Sequence, residues 1–567
     1  MRYINLCGIY QKLEENPKRL KKIEILSDFL RQIKKTNEEE IIYLLQGKIF
    51  PDYVKKEFGI SEKLCIKALS KVSGISLGQV TKKWKKFGDL GFVAEKIILE
   101  KTQSALFFEE ITIKKILTDL RKITELKGIG AVDKKLAIIS GLLNSARPIE
   151  AKYIIRTLLA DLRIGLGEGT LRDSIVSACF KFKDINEKKL IANLIQEAYN
   201  KCIDFKLVFE KSCEGIKSLN SINLIPGRPI KVMLFLKEKT IEEGFKRVGK
   251  PCLIDYKYDG FRIIITKEKN KKIKTFTRRL EEVSEQFPEI TEYVRKYVNA
   301  ESFILDAEAI GFDLKKKTYK PFQDISQRIK RKYHIKEIAK KLPIEINIFD
   351  IIYYNGENLI KEPLKKRRKI LEKIVKQEKY KLKLSEAIIT DNLIQAKEFY
   401  RRALNLGEEG IMMKNLEAPY KPGARVGYGI KIKPIGEELD LVITNAEYGT
   451  GKRAGWLTSY TLSCKNKEEL LEIGKASTGL KEKEELGLSF KELTKKLKPL
   501  IKKEIGRKII VKPELIVTII YQNIQKSPTY NSGYALRFPR ITRLRPDRSI
   551  KDIADIEEIT KEFEKQK

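Results

Sequence analysis

Lys257 lies in Cys252-Leu-Ile-Asp-Tyr-Lys-Tyr-Asp-Gly-Phe-Arg262, an apolar run that stops at a lysine, an acid and a glycine and then resumes. The pattern predicts strand, tight turn and strand, with Gly260 supplying a permissive backbone. A lysine so placed can act as a covalent nucleophile once burial or neighbouring cations favour its neutral amine. Alone the string is weak, since Lys-x-Asp-Gly arises by chance about 0.2 times in a chain of this kind. Other residues could converge with it on a phosphate. Glu308 ends the apolar run Ile304-Leu-Asp-Ala-Glu308, and Glu409 precedes the run from Gly410 to Lys414. Lys431 and Lys433 are two apart, so on a strand they would share a face suited to phosphate. The two glutamates suit magnesium, which takes one or two protein carboxylates beside phosphate oxygens. Singly, such residues are usually solvated strand-edge charges. Their ordered joint occurrence carries the reading.

The elements that must position these residues fall into three blocks. Residues 1–222 carry apolar positions at three- and four-residue spacing, as in Lys21 to Ile33 and Ile149 to Leu162, and predict an all-helical domain. Two prolines and a glycine in Asn223-Leu-Ile-Pro-Gly-Arg-Pro229 mark a linker. Residues 223–435 then predict an α+β domain with antiparallel strands at Leu253 to Ile265, Phe303 to Ile310, Ile344 to Tyr353 and Gly410 to Lys414. A charged helix is expected over Lys361 to Lys379. Past Pro434, residues 436–567 predict short strands at Leu439 to Ala446, Leu457 to Cys464 and Ile509 to Tyr521, which suits a small OB-type β-barrel.

The formal net charge of +38 over 567 residues calls for a polyanionic partner, and extended phosphate backbone is the usual one. The plainer reading is a chain drawn from a lysine-rich proteome. Seven cysteines are scattered without a C-x-x-C pair, which argues against a zinc ribbon or a disulfide framework and fits a reducing compartment. A single histidine, His334, sits in a charged run and reads as a solvated surface residue, so histidine triads and histidine metal sites are excluded. Neither a leader nor an apolar span of membrane length is apparent, which predicts a soluble intracellular protein without a membrane partner.

Along nearly its whole length the chain resembles the ATP-dependent DNA ligases of the archaeal and eukaryotic replicative type. Lys257-Tyr-Asp-Gly260 with Arg262 looks like the first motif of the covalent nucleotidyltransferases, and Thr277-Arg-Arg-Leu-Glu281 with Arg278 like the second. Leu305 to Ala309 with Glu308 is similar to the third, Phe349-Asp350 to the aromatic position that stacks on adenine, and Glu409 to Lys414 to the fourth. Arg425 with Lys431 and Lys433 resembles the fifth, and Leu536-Arg-Phe-Pro-Arg540 followed by Arg543-Leu-Arg-Pro-Asp-Arg548 the sixth. Glu150-Ala-Lys-Tyr-Ile-Ile-Arg156 and Leu162-Arg-Ile-Gly-Leu-Gly167 resemble the helical DNA-binding domain of the family, which its RNA ligase and capping relatives lack. An NAD-dependent ligase would carry a cysteine zinc finger, and an inert nucleic-acid binder would not need the ordered carboxylates and lysines.

The resemblance implies three domains: helical DNA-binding, adenylation and OB-fold. It makes Lys257 the nucleophile that takes AMP from ATP, with ADP or another nucleotide as alternatives. Asp255, Arg262, Arg278, Glu308, Phe349, Arg425, Lys431 and Lys433 would hold the nucleotide, as would Arg545, Asp547 and Arg548. Mg2+, or Mn2+, would sit on Glu308 and Glu409. Nicked duplex DNA would be gripped near Arg163, Gly165 and Gly167, and a PCNA-type sliding clamp near Gln103, Phe107 and Phe108. The protein would act as a chromosome-associated monomer. Four departures stand out: Asp255 replaces the usual glutamate with one methylene fewer, Phe261 stands where many relatives have glutamate, Thr518 stands at a position often acidic, and the sixth motif ends in Arg548 rather than lysine.

Overall fold

The computed structural model describes residues 1–567 except 55, 102–109, 314–317, 321, 330, 332, 435–437, 450–452, 454, 483–487 and 567. The chain divides into two compact units, Met1–Ile432 and Lys433–Lys567.

No strand precedes Leu234 among the described residues of the first unit, and its helices run from Tyr3–Glu15 to Ile216–Asn220 around one apolar core. The centre of that core is the helix Pro148–Leu158, in which every residue from Glu150 to Leu158 is buried. A helix buried all round must find partners for its charges. Arg156 is almost wholly enclosed and donates to Glu14 at 2.9 Å and to Asp89 at 2.6 Å. Asp89 in turn caps the helix Leu90–Leu99 through the Gly91 and Phe92 amides. Gly91 is glycine because a Cβ there would lie 2.6 Å from Arg156 Cγ and 2.7 Å from the Lys152 carbonyl. Three helices are thus drawn together on one guanidinium.

Two sheets follow. The strands of the first unit are β1 Leu234–Lys237, β2 Cys252–Lys257, β3 Phe261–Lys267, β4 Ile273–Thr277, β5 Phe303–Asp313 and β6 Thr318–Lys320. They continue with β7 Ile344–Tyr354, β8 Glu357–Asn358, β9 Leu382–Leu384, β10 Ala387–Thr390, β11 Gly410–Asn415 and β12 Arg425–Ile432. One sheet has the order β1-β12-β11-β2-β10; the other has β4-β3-β5-β7-β8, with β6 on β5 and β9 on β7. The outer face of the first packs on the helices Ile241–Val248 and Leu393–Asn405 through Ile254, Tyr256, Met413 and Ile430. That of the second packs on Pro288–Tyr297 and Leu364–Ile374 through Ile263, Ile265, Leu305 and Ile348.

The expected hairpin around Gly260 is not formed: β2 and β3 belong to different sheets, and the short segment between them crosses from one to the other. Gly260 does not adopt a left-handed φ either. Its glycine is dictated by space, since a Cβ would stand 2.3 Å from the Ala309 carbonyl oxygen. Glu308 lies in the middle of β5 rather than at a strand end, and the helix expected over Lys361 to Lys379 is trimmed to Leu364–Ile374.

In the second unit β13 Glu438–Tyr448, β14 Leu457–Asn466 and β15 Glu469–Ala476 form a meander. The run from Ile509 to Tyr521 is two strands rather than one. With β16 Ile501–Ile505 before them, these are β17 Lys508–Val511 and β18 Ile516–Ile520. Pro513, which has no amide hydrogen for a ladder, falls between the two. They pair with opposite halves of the long β13. The pair β19 Ile524–Lys526 and β20 Tyr534–Leu536 follows, and then β21 Arg540–Leu544 on β18. The Ile541 amide donates to the Thr478 carbonyl just beyond β15, which brings the ring of strands β15-β14-β13-β18-β21 back on itself.

Burial opposes ionisation of Glu14, but hydrogen bonds from Arg156, Tyr153 and Lys152 outweigh it and hold the carboxyl down at about 2. A depressed carboxyl contributes stability above its unfolded value and loses it as pH falls through the folded one. Glu14→Gln should therefore lower the urea midpoint at pH 7, and the gap to the unsubstituted protein should close as pH falls from about 4.5 to about 2. A gap independent of pH would show that shape, not charge, is what Glu14 contributes.

Candidate active site

Strand register places the chemistry. Asp255 and Lys257 are two apart on β2 and share the inner face of the first sheet. Across β11 and β12 the neighbours of Asp255 are Met412 and then Lys431, with Lys414 two residues beyond Met412. On the second sheet Arg262 of β3 pairs with Glu308 of β5, which pairs with Asn347 of β7, and Phe349 follows two residues later. The two inner faces meet directly: Lys414 Nζ, from the first sheet, lies 4.8 Å from the ring centre of Phe349 on the second.

Lys257 Nζ is 2.7 Å from Glu409 Oε2, and the Glu409 amide donates to the Lys257 carbonyl at 2.8 Å. Backbone and side chain thus hold Lys257 and Glu409 together. The segment after Lys257 is held from below, because Glu408 Oε2 accepts from the Asp259 amide at 3.2 Å. Burial, chiefly, pushes the Glu408 carboxyl up to about 8. It does the same to Glu308, where attraction to Lys257 and Arg262 pulls the value down while Glu409 and Asp306 add to the rise. Glu308 and Glu409 are thus close enough to repel, with carboxylate oxygens as their only donor atoms. That is a fit for a hard divalent cation.

Arg262 does not point into open space. Its guanidinium spans both oxygens of the fully buried Asp306 at 2.8 and 2.5 Å and donates to the Met233 carbonyl at 2.7 Å. Tyr420 donates its hydroxyl to the same aspartate at 2.7 Å. The ring of Phe349 lies 5.2 Å from this guanidinium. Asp255 is buried, and its Oδ2 accepts from Lys414 Nζ at 2.5 Å and from Ser385 Oγ at 3.3 Å. Its Oδ1 is buried with no hydrogen-bond partner among the described residues.

These observations explain why three family models fit the chain in order. The model described as "DNA ligase N terminus" matches residues 2–176, "ATP dependent DNA ligase domain" residues 232–433, and "ATP dependent DNA ligase C terminal region" residues 453–548. The DNA ligase of Nanoarchaeum equitans (strain Kin4-M) is 43% identical over 572 residues, covering 100% of this chain and 99% of that one. The chain belongs to the ATP-dependent DNA ligase family. The DNA ligase of Thermococcus fumicolans is 37% identical over 563 residues, covering 99% of this chain and 98% of its own. The solved structure "Pmar-Lig_PreS3" is 17% identical with a TM-score of 0.55, covers 95% of this chain and 99% of its own, and shares the fold. The family acts on DNA. No described helix is long and apolar enough to cross a membrane.

Other residues expected at a ligase site fall variously. Arg278 and Arg425 are exposed, the first just past β4 and the second at the start of β12. β12 ends at Ile432, so the shared strand face expected for two lysines holds for Lys431 alone, and Lys433 follows the strand end. In the second unit Arg545 and Arg548 both hold the half-buried Asp440, at 2.7 and 2.8 Å, and Arg545 also grips Asp547 at 2.7 Å. In the helical region Arg163 pairs with Asp161 at 2.6 Å, and the Ile164 carbonyl accepts from Lys22 Nζ at 2.5 Å. Gly165 has a φ of +63°, and Gly167 is the N-cap of the helix Glu168–Cys179. His334 is exposed, as expected. Gln103, Phe107 and Phe108 lie outside the described residues.

Sequence reasoning passed over Asp306, Ser385, Glu408, Tyr420 and the pairing role of Lys414. Asp306 had a signal: it sits two residues before Glu308 on the same strand, hence on the same face. Asp306→Ala would strip the half-buried Arg262 of its carboxylate and leave it little beyond the Met233 carbonyl, which costs about 2–3 kcal/mol. Urea unfolding should show that loss; a change under about 1 kcal/mol would mean Arg262 finds another partner or water.

Proposed function

We propose that this chain seals 3′-hydroxyl/5′-phosphate nicks in duplex DNA through a lysyl-AMP intermediate, in replication, repair and recombination. The observation that carries the reading is Lys257 Nζ held 2.7 Å from Glu409 on a sheet face shared with Asp255, Lys414 and Lys431. The amine forms a bond to the α-phosphorus of ATP and the bond to pyrophosphate breaks, with Glu409 placed to accept the amine proton. AMP then passes to the 5′-phosphate at the nick, and the 3′-hydroxyl displaces it. Each transfer is in-line phosphoryl chemistry, in which positioning and neutralisation of charge do most of the work.

Lys431, Lys433, Arg278 and Arg425 would spread over the α-phosphate and sugar. Phe349 offers the aromatic surface for the base. Arg262, clasped by Asp306 and set against that ring, would hold the nucleotide from beside the base. Arg545, Asp547 and Arg548 would orient pyrophosphate in the first step once the arginines exchange Asp440 for it. Glu308 and Glu409 would hold Mg2+ or Mn2+, which supplies charge neutralisation at the phosphate oxygens. Nicked DNA would meet the helical region through backbone amides near Gly165 and Gly167, with Arg163 beside them. A sliding-clamp contact through Gln103, Phe107 and Phe108 rests on sequence alone, as does action as a monomer.

Two measurements test the reading. Lys257→Ala should abolish transfer of labelled AMP to the protein while leaving binding to nicked DNA intact; label retained after denaturation would displace Lys257 as nucleophile. Asp255 bears on nucleotide choice, because its buried Oδ1 can accept from the exocyclic amine of adenine but would repel a carbonyl oxygen at the same position. Asp255→Asn should lower kcat/KM for adenylation about 10- to 100-fold, the worth of one hydrogen bond to a charged group. It should also narrow the preference for ATP over GTP. An unchanged preference would remove Asp255 from base recognition.

A further inference from the structure

Seven cysteines scattered along the sequence show no pairing pattern, yet the fold brings two of them together. Cys179 Sγ and Cys213 Sγ are 3.4 Å apart, in van der Waals contact. Cys179 ends the helix Glu168–Cys179, and Cys213 is the penultimate residue of the helix Phe205–Glu214. Both are partly accessible, while Cys7, Cys65, Cys202, Cys252 and Cys464 are buried. From this geometry we infer that Cys179 and Cys213 are a modification site, forming a disulfide that staples the helix behind the Gly165–Gly167 loop to the helix Phe205–Glu214.

The surroundings favour this chemistry. A disulfide needs an S–S distance of about 2.05 Å, so the sulfurs must close by about 1.4 Å, within reach of side-chain rotation. Lys34 Nζ donates to the Cys213 carbonyl at 3.3 Å, and Arg31 donates to the Ser177 carbonyl at 2.7 Å, placing two cations beside the thiols. The hydrogen bond from Cys179 is the main influence holding the Cys213 thiol below its ordinary value; Lys34 adds to it, while burial, Glu39 and Glu214 oppose it. Cys179 is raised by that same hydrogen bond and by burial. Lys34, bonded to the Cys213 backbone, favours a thiolate there, which makes Cys213 the attacking sulfur and Cys179 the resolving one.

With a peroxide as oxidant, the Cys213 thiolate attacks one oxygen and the O–O bond breaks. This leaves a sulfenic acid on Cys213 and a hydroxide that takes a proton to become water. Cys179 then attacks that sulfur, its proton leaves with the departing hydroxyl as a second water, and the S–S bond forms. Two thiols lose two electrons and two protons, and the peroxide becomes two waters. The bridge closes a loop over residues 180–212, long enough for a large loss of unfolded-state freedom. It acts on the helix whose N-terminus carries the candidate DNA-gripping loop.

The test treats the full chain with dilute hydrogen peroxide, followed by native alkylation and non-reducing peptide mapping. The expected result is one linked peptide pair joining Cys179 and Cys213, a mass lower by two hydrogens, and loss of both native alkylation sites. The unfolding midpoint should rise by about 3–5 °C and fall back on adding dithiothreitol. Cys179→Ser and Cys213→Ser should each abolish the link, and Cys213→Ser should leave Cys179 alkylatable after peroxide. Two alkylatable thiols after treatment, or a stable sulfinic acid on Cys213 with no linked peptide, would overturn the inference. A link that forms without raising the midpoint would overturn the stapling role.

Discussion

The ammonium of Lys414 is the point on which the catalytic half depends. It bonds the Asp255 carboxylate on its own sheet and lies against the Phe349 ring on the other. A buried pair of opposite charges stabilises little by itself, because desolvation consumes most of the attraction. Its value here is register. If β11 slipped by one residue against β2, Lys414 would turn to the helical side, and Asp255 would be left buried without a cation. The same slip would carry Gly410, and with it Glu409, away from Lys257. Lys257, Glu409 and Phe349 are therefore kept in register by a contact made by none of them.

A second regularity runs through the molecule: cations suited to phosphate are held by carboxylates. Lys257 has Glu409, Arg545 and Arg548 share Asp440, and Arg163 has Asp161. A chain of net charge +38 would otherwise gather like charges at every site that must receive a polyanion. Holding each cation on an acid keeps it oriented and lowers local repulsion. An incoming phosphate then competes with protein carboxylates rather than with bulk water alone.

Much of this was legible in the residues. The strands on or beside which Lys257, Glu308 and Glu409 lie were legible because apolar runs keep their spacing when strands form, and the helical block was legible from its periodicity. What escaped did so for physical reasons. β2 and β5 are buried on both faces, so no alternation marks which side Asp255 or Asp306 occupies, and their partners could not be deduced. The hairpin around Gly260 was misread because glycine signals a tight turn and a close approach equally well, and only the fold tells them apart. The run from Ile509 to Tyr521 was read as one strand although Pro513 interrupts its capacity to donate. The thiols of Cys179 and Cys213 are brought together by helix packing, which leaves no trace in cysteine spacing.

The carbonyl of Ala309 above Gly260 has one more consequence. The segment carrying Lys257 is pinned between two sheets, with Glu408 bonded below and a strand above, and has no room to advance or retreat. The amine can rotate about its own side chain, but its root is stationary. Every reactant in the sequence, whether nucleotide, pyrophosphate or DNA end, must be carried to a fixed anvil.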